Sequence, residues 1–273
     1  MNKLQEILTF TAPFALAASL NAQLAFDGTN DAVVTFDATT AGVTNDQYAG
    51  AGRSSNPSAG QLDSEFYAQL KQGFDGGNAS NAAARGVTTG TTGPSAGNGF
   101  YAADINNDGN RSFAYQAGND NLEAFDFRIT SSAALTAFDI SFDAQYFKLT
   151  SGRVTGLNFS YAIDAGGDAI TDAEVNALSF TANTDLNIAG TLGATANVWN
   201  DLGNLSTTIS ASVAAGDAII LRFEGITIEG AGGSRTFNSV DNLKISAVPE
   251  PGTYALLAGM CALSAVALRR RQS

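Results

Sequence analysis

Residues 135–148 read LTAFDISFDAQYFK. Within this stretch an apolar residue follows each polar one: Phe138, Ile140, Phe142 and Ala144 alternate with Asp139, Ser141 and Asp143. Successive side chains of a β-strand point to opposite faces of its sheet, so this spacing gives one apolar and one polar face. The stretch therefore predicts a strand that packs one face on a core and turns the other towards water.

The same alternation recurs on both sides of this strand. Further strands are predicted around Phe125, Phe127 and Ile129, around Leu157, Phe159, Tyr161 and Ile163, around Ile219, Leu221 and Phe223, around Ile226 and Ile228, and over residues 240–247. Turns rich in Gly, Asn and Asp separate them, and residues 111–247 show no helical periodicity. One-sided strands of this kind bury their apolar faces by pairing two sheets. We expect an all-β fold, an antiparallel two-sheet sandwich.

Residues 23–118 carry a weaker pattern. Residues 32–36 (AVVTF) predict an opening strand, and residues 62–72 (LDSEFYAQLKQ) predict a short helix because their apolar residues recur at helical spacing. Residues 49–60 and 73–99 are rich in Gly, Asn, Ser and Thr, which is typical of long loops. We expect this region to add two or three edge strands and no catalytic motif.

Composition excludes several classes of function. The 273 residues include no histidine and one cysteine, Cys261, so disulfides within the chain and histidine-centred catalytic or zinc sites cannot form. The formal net charge is -12, and a surface this acidic repels phosphate backbones. We therefore expect no nucleic-acid partner and no enzymatic activity.

Residues 1–22 resemble an export signal in their composition. Lys3 precedes an apolar run over residues 7–20, and small residues follow up to Ala22. This order predicts a secretory signal peptide; cleavage after Ser19 or after Ala22 suits the small-residue rule, and we favour Ala22, with an N-terminal anchoring helix as the alternative. The exported body then spans residues 23–247.

Residues 248–273 read VPEPGTYALLAGMCALSAVALRRRQS. The uncharged segment 252–268 has 17 residues and would be about 26 Å long as a helix, close to the thickness of a bilayer core. Three arginines follow it directly, and such a cluster holds its end of a membrane helix in the cytoplasm. The residues predict a transmembrane helix with the body outside the cytoplasm.

The order of these parts resembles the PEP-CTERM sorting signal of Gram-negative bacteria. The matching residues are Val248, Pro249, Glu250, Pro251, Arg269, Arg270 and Arg271, with the helix between them. The resemblance implies that an exosortase recognises the tail in the membrane and removes the helix. The protein would then be transiently anchored in the inner membrane before reaching the cell surface or extracellular matrix. A permanent single-span anchor is the alternative.

The strands also resemble the jelly-roll ectodomain that often precedes such a tail. The matching stretches are residues 111–116 (RSFAYQ), 135–148, 157–164 (LNFSYAID), 216–224 (GDAIILRFE) and 239–246 (SVDNLKIS). The resemblance implies a lectin-like sandwich of no established activity. It also marks Asp241 as a recurrent polar position, whose carboxylate either binds a ligand or caps a turn.

One loop has the composition of a metal site. Residues 104–110 read DINNDGN, and the oxygen ligands of a calcium loop would be Asp104, Asn106 and Asp108. Gly109 suits the sharp turn of such a loop, but Tyr115 stands at the twelfth position, where an EF-hand needs glutamate. A weak calcium site completed by Asp120 or a carbonyl, and a plain turn between strands, both remain open.

Three functions fit these observations. We expect a non-enzymatic protein of the cell surface or extracellular matrix, with exosortase and the membrane as partners of its tail. A carbohydrate-binding module for exopolysaccharide is the alternative, in which Trp199 and Tyr146 either stack on sugars or pack in the core. A glycoside hydrolase that uses only carboxylates is the third, and it requires two acids about 5–10 Å apart in a groove.

Overall fold

The computed structural model describes residues 25–36, 99–106, 108–116, 124–149, 153–169, 172–191, 193–230 and 236–248, with the short segments 53–54, 62–63, 67–70, 84–89 and 259–260. The strands in these residues are β1 (Ala25–Phe26), β2 (Ala32–Val34), β3 (Arg53–Ser54), β4 (Leu62–Asp63), β5 (Tyr67–Leu70), β6 (Ala84–Thr89), β7 (Gly99–Asp104), β8 (Ser112–Gln116), β9 (Ala124–Ser131), β10 (Phe138–Phe147), β11 (Val154–Asp164), β12 (Thr181–Ala182), β13 (Trp199–Ile209), β14 (Ala218–Glu229) and β15 (Phe237–Ala247). One short α-helix, α1 (Asp172–Ala177), and a 3-10 turn (Thr184–Leu186) lie between β11 and β13. The predicted signal peptide, residues 1–22, lies outside the described residues.

Two sheets form the body. Sheet A has the strand order β1-β9-β14-β11-β12, with β5 also paired to β9. Sheet B has the order β13-β10-β15-β8-β7-β6, with β2 also paired to β15. The long strands pair antiparallel, whereas β1 with β9 and β6 with β7 are parallel. The predicted all-β architecture of two antiparallel sheets is confirmed.

The core lies between the inner faces of the two sheets. Phe113 on sheet B contacts Phe125 and Phe127 on sheet A, with ring centroids 5.1 and 5.3 Å apart. Phe223 of β14 stacks on Phe125 and meets Phe142 of β10 edge-on at 5.4 Å. Burial of such a side chain contributes roughly 1.5–3 kcal/mol, so these rings stabilise the packing of the two sheets together with the aliphatic residues of the same core.

The predicted helix at residues 62–72 is wrong. The chain forms strands β4 and β5 there, and Tyr67 and Leu70 pair with Phe127 and Phe125 of β9. A neighbouring strand satisfies the backbone of this segment, so tertiary pairing overrides a weak helical pattern. Within the described residues up to 116 the chain already forms eight strands, rather than two or three, and α1 interrupts a region in which no helix was expected.

Helix α1 covers part of the outer face of sheet A. Its Val175 is fully buried and packs with Ala162, Ala218 and Ile220 from β11 and β14. On the same face, Asp126 of β9 is fully buried and accepts two hydrogen bonds of 2.8 Å from the guanidinium of Arg222. The outer face of sheet A is thus built into the fold, whereas that of sheet B carries the exposed polar surface described next.

Candidate functional site

Strand β15 joins the sandwich to the predicted sorting tail. It pairs with β10 along its whole length, from Phe237 to Ala247. On its other side β8 pairs with residues 237–240 and β2 with residues 243–245. The Val248 amide still donates to the Ala137 carbonyl at 3.4 Å. The Pro-Glu-Pro sequence therefore begins one residue after the end of a central strand.

The tail beyond residue 248 is described only at Gly259 and Met260, which are helical and exposed. Among the described residues, none of the helices has the length and apolar character needed to cross a bilayer. The predicted membrane helix, residues 252–268, otherwise lies outside the described residues, as do Pro249, Glu250, Pro251 and the three arginines.

Next to this tail, the outer face of sheet B presents nine polar side chains in three rows. We call them the polar face: Asp139, Ser141 and Asp143 on β10, Asn204, Ser206 and Thr208 on β13, and Asp241, Lys244 and Ser246 on β15. The register places Asp139 between Thr208 and Ser246 in the row nearest the tail. Ser141 lies between Ser206 and Lys244 in the middle row. These are the outward positions of strands whose alternate residues fill the core.

The polar face forms a shallow groove. Asp143 lies four positions after Asp139, a length of about 14 Å along the strand, and three strands give a width of about 10 Å. A cavity of about 480 Å³ lies over the two rows nearest the tail and extends to Asn204. Apart from Ile140, every residue that lines it is polar or charged.

Hydrogen bonds hold the side chains of the third row, which is formed by Asp143, Asn204 and Asp241. Asp143 accepts from the Asn204 side chain at 2.9 Å and from the Asn242 side chain at 2.8 Å. Asp241 accepts from the Asn242 amide at 2.7 Å and from the Asn110 side chain at 3.3 Å. Asp143 and Asp241 are register partners, and like charges so placed repel each other. The amide donors offset that repulsion and hold both carboxylates in place.

A β-bulge produces this arrangement. Asn242 is an extra residue in β15, between the pairs Ser141 with Lys244 and Asp143 with Asp241, and its φ is +49°. The extra residue lets Val240 and Leu243, three positions apart, both point into the core. Asn tolerates a left-handed backbone better than most residues. Asp241 bonds to this bulge, which fits its predicted turn role, and a ligand role for this member of the polar face stays a prediction.

In the two rows nearest the tail, some side chains are hydrogen-bonded or ion-paired and others are not. Asp139 accepts from the Thr208 hydroxyl at 2.5 Å, and Lys244 forms an exposed ion pair with Asp31 at 3.2 Å. The hydroxyls of Ser141 and Ser206 make no hydrogen bond to any described residue. The centre of the groove thus offers two hydroxyls, flanked by a carboxylate and an ammonium group.

The loop predicted as a calcium site forms a tight turn beside the third row. Asp104 is 4% exposed; its Oδ1 accepts from the Asp108 amide, and its Oδ2 accepts from Gly109 and, at 2.8 Å, from Arg111. The Asp108 carboxylate accepts from the Asn110 amide. Among the described residues, no three acidic or cysteine side chains cluster as metal ligands. The bonds of Asp104 are those that a turn needs, and the calcium site stays a prediction.

The two aromatic candidates for sugar stacking lie elsewhere. Tyr146 is 4% exposed, points into the sandwich and packs on Gly190, where an added Cβ would lie 2.7 Å from the ring. Trp199 lies at the far end of the outer face of sheet B and contacts Phe147 edge-on at 5.6 Å. It belongs to a small apolar cluster around Phe147 and Phe237. Packing accounts for both side chains.

Sequence reasoning identified the polar side of β10 but missed the polar face as a unit. Its members on β13 lie in a strand that was not predicted, because residues 199–209 (WNDLGNLSTTI) contain few apolar residues. The hydroxyl and amide residues at alternate positions, Asn204, Ser206 and Thr208, are the signal that was available. Only the pairing of β10 with β13 and β15 shows that the three sets are neighbours.

Comparison with known proteins identifies the tail. Residues 247–271 match the PEP-CTERM protein-sorting motif. The predicted sorting signal is therefore confirmed, and the motif indicates export by the exosortase route of Gram-negative bacteria, with a membrane-anchored step. No curated protein matches the sequence.

Several solved structures are similar to the sandwich at low sequence identity. Tailspike protein 4 of bacteriophage CBA120 has 11% identity and a TM-score of 0.31, over 51% of this chain and 16% of that one. The CBM35 of Cellvibrio japonicus Abf62 has 13% identity and a TM-score of 0.28, over 67% and 88% of the two chains. The xylan-binding CBM22-1 of Paenibacillus barcinonensis Xyn10C has 11% identity and a TM-score of 0.30, over 56% and 81%.

Proposed function

We propose that this protein is a non-enzymatic component of the bacterial cell surface or extracellular matrix, delivered and trimmed through its PEP-CTERM tail. The observation that carries the proposal is the sorting motif at residues 247–271, which continues directly from a central strand of an all-β sandwich. Removal of the tail after residue 248 leaves every pairing of β15 intact, because the last paired residue is Ala247. The trimmed sandwich therefore keeps its fold.

The tail also sets the position of the sandwich before trimming. With no linker between Ala247 and the Pro-Glu-Pro turn, the row of Asp139, Thr208 and Ser246 lies at the end of the sandwich nearest the membrane. Trimming releases this end and leaves the polar face free to meet other molecules. Delivery and exposure of that face are thus coupled in this proposal.

The intact mass of the protein recovered from the cell surface or medium tests the proposal. We expect loss of residues 1–22 and of the segment after the Pro-Glu-Pro turn. A variant in which Pro249, Glu250 and Pro251 are replaced by alanine is expected to keep its tail and stay in the membrane fraction. A wild-type mass that still includes residues 252–273 would contradict trimming and leave a membrane-tethered sandwich.

The lack of enzymatic activity is part of the proposal and has its own test. The carboxylates of Asp143 and Asp241 are register partners, the closest approach to a glycosidase pair on the polar face. Both accept hydrogen bonds from asparagine donors that hold the bulge and its neighbours. We expect no new reducing ends when the protein is incubated with polysaccharides. Hydrolysis that Asp143→Asn abolishes would establish a glycosidase instead.

A further inference from the structure

We propose that the polar face of sheet B binds neutral polysaccharide chains, an inference that rests on the proposed surface location. The groove extends over three strands and is lined by hydroxyl, carboxamide, carboxylate and ammonium groups. Sugar hydroxyls both donate and accept hydrogen bonds, so they match a surface that offers both functions side by side. A shallow groove of about 14 by 10 Å accommodates a short run of sugar units.

The groove is prepared for such a ligand. Asp139 is held by Thr208, Asp143 by Asn204 and Asn242, and Lys244 by Asp31. These contacts restrict the rim side chains, so less of their conformational entropy remains to be lost on binding. The Ser141 and Ser206 hydroxyls at the centre are register partners and bond to no described residue. These two hydroxyls can donate and accept hydrogen bonds at the place where a polysaccharide chain would lie.

Charge selects among polysaccharides. The polar face carries three carboxylates, Asp139, Asp143 and Asp241, against one ammonium group, Lys244, so its net charge is -2. The whole chain has a net charge of -12. Polymers rich in uronate or sulfate would meet repulsion both from the face and from the rest of the protein. Neutral chains meet none.

No aromatic side chain lines this groove, so we expect a single groove to bind its ligand weakly. Without a stacking platform, one groove holds its ligand weakly through hydrogen bonds exchanged with water. A repeating polymer presents many equivalent segments to many copies of the protein, so retention in a matrix comes from avidity. The face suits a matrix component better than a soluble sugar receptor.

Affinity electrophoresis tests the inference with the full chain in a detergent that has no sugar headgroup. The gels contain dextran, galactomannan or a mixed-linkage β-glucan as neutral probes, and alginate or hyaluronan as anionic probes. We expect retardation by at least one neutral polymer and by neither anionic one. The double variant Ser141→Leu/Ser206→Leu, which removes the central hydroxyls and fills the groove, should weaken retardation about tenfold or more.

Ser179→Leu is the matched control, because Ser179 is exposed beyond α1 on the side of sheet A. It should bind like the wild type, and all variants should melt at a similar temperature. Failure of every neutral probe, equal retardation by alginate, or unchanged binding by the double variant would overturn the inference. A trimmed protein without polysaccharide affinity refutes this inference alone, whereas an untrimmed protein that binds refutes only the trimming proposal.

Discussion

Replacement of Asp126 by alanine is expected to destabilise the sandwich strongly. Asp126 is fully buried and bonded to Arg222 through both carboxylate oxygens, each at 2.8 Å. The Arg222 side chain is 12% exposed, and its guanidinium carbon lies 3.7 Å from the centre of the Phe180 ring. Removal of the carboxylate leaves a cation in a site from which water is largely excluded.

The expected loss follows from two charge-assisted hydrogen bonds at roughly 1.5–3 kcal/mol each, a total of about 3–6 kcal/mol. Single removal of one partner from buried ion pairs typically costs about 3–5 kcal/mol, in agreement with that sum. For a domain of this size, each kcal/mol lowers Tm by about 2–4 °C, so a loss of about 3–5 kcal/mol should lower Tm by about 6–20 °C. Thermal unfolding followed by circular dichroism measures the shift.

The double variant Asp126→Leu/Arg222→Met tests whether the loss comes from the cation that Asp126→Ala leaves behind. It removes both charges and keeps apolar volume, so we expect it to recover most of the lost stability. The reasoning would be refuted if Asp126→Ala cost less than about 1 kcal/mol, well below the usual loss for a broken buried pair. It would also be refuted if the double variant were less stable than Asp126→Ala.

Three further changes test other parts of the structure. Gly156→Ala should destabilise by at least about 1–3 kcal/mol in urea unfolding, since its Cβ would lie 2.2 Å from the Ile188 carbonyl oxygen; an unchanged midpoint would contradict that close approach. Asn238→Leu should stabilise by about 1–3 kcal/mol, because Asn238 is 1% exposed and its amide atoms have no partner among the described residues; a lower Tm would reveal a hidden partner. Millimolar calcium should leave Tm unchanged, because Arg111 and turn amides occupy Asp104; a calcium-dependent rise that Asp108→Asn removes would establish the metal site.

The long strands could be predicted because their pattern is local. Phe138 to Ala144 alternate with polar residues, and β10 forms there with the expected face in the core. Residues 226 and 228 were predicted separately from residues 219–223, but one strand, β14, contains both. Three positions separate Phe223 from Ile226, so the two apolar runs lie on opposite faces of one continuous strand, and this change of phase gave the pattern of two strands.

The short strands could not be predicted in the same way, since their stability comes from partners. Residues 67–70 form a strand because the edge of β9 is available for pairing. The sequence of the segment itself does not show that this partner exists. The polar face presents the same difficulty at the level of function. Ser141, Ser206 and Lys244 are far apart in the chain, and only the register of three strands places them in one row.

The double pairing of β15 has a mechanical consequence. A pull on the tail acts along the axis of this strand, and its hydrogen bonds to β10, β8 and β2 are perpendicular to that axis. The pull therefore loads these hydrogen bonds in shear and all at once, so they do not break one after another from the strand end. A tension applied through the tail before trimming would therefore load β15 as a unit, and the sandwich would resist unravelling from its C-terminal end.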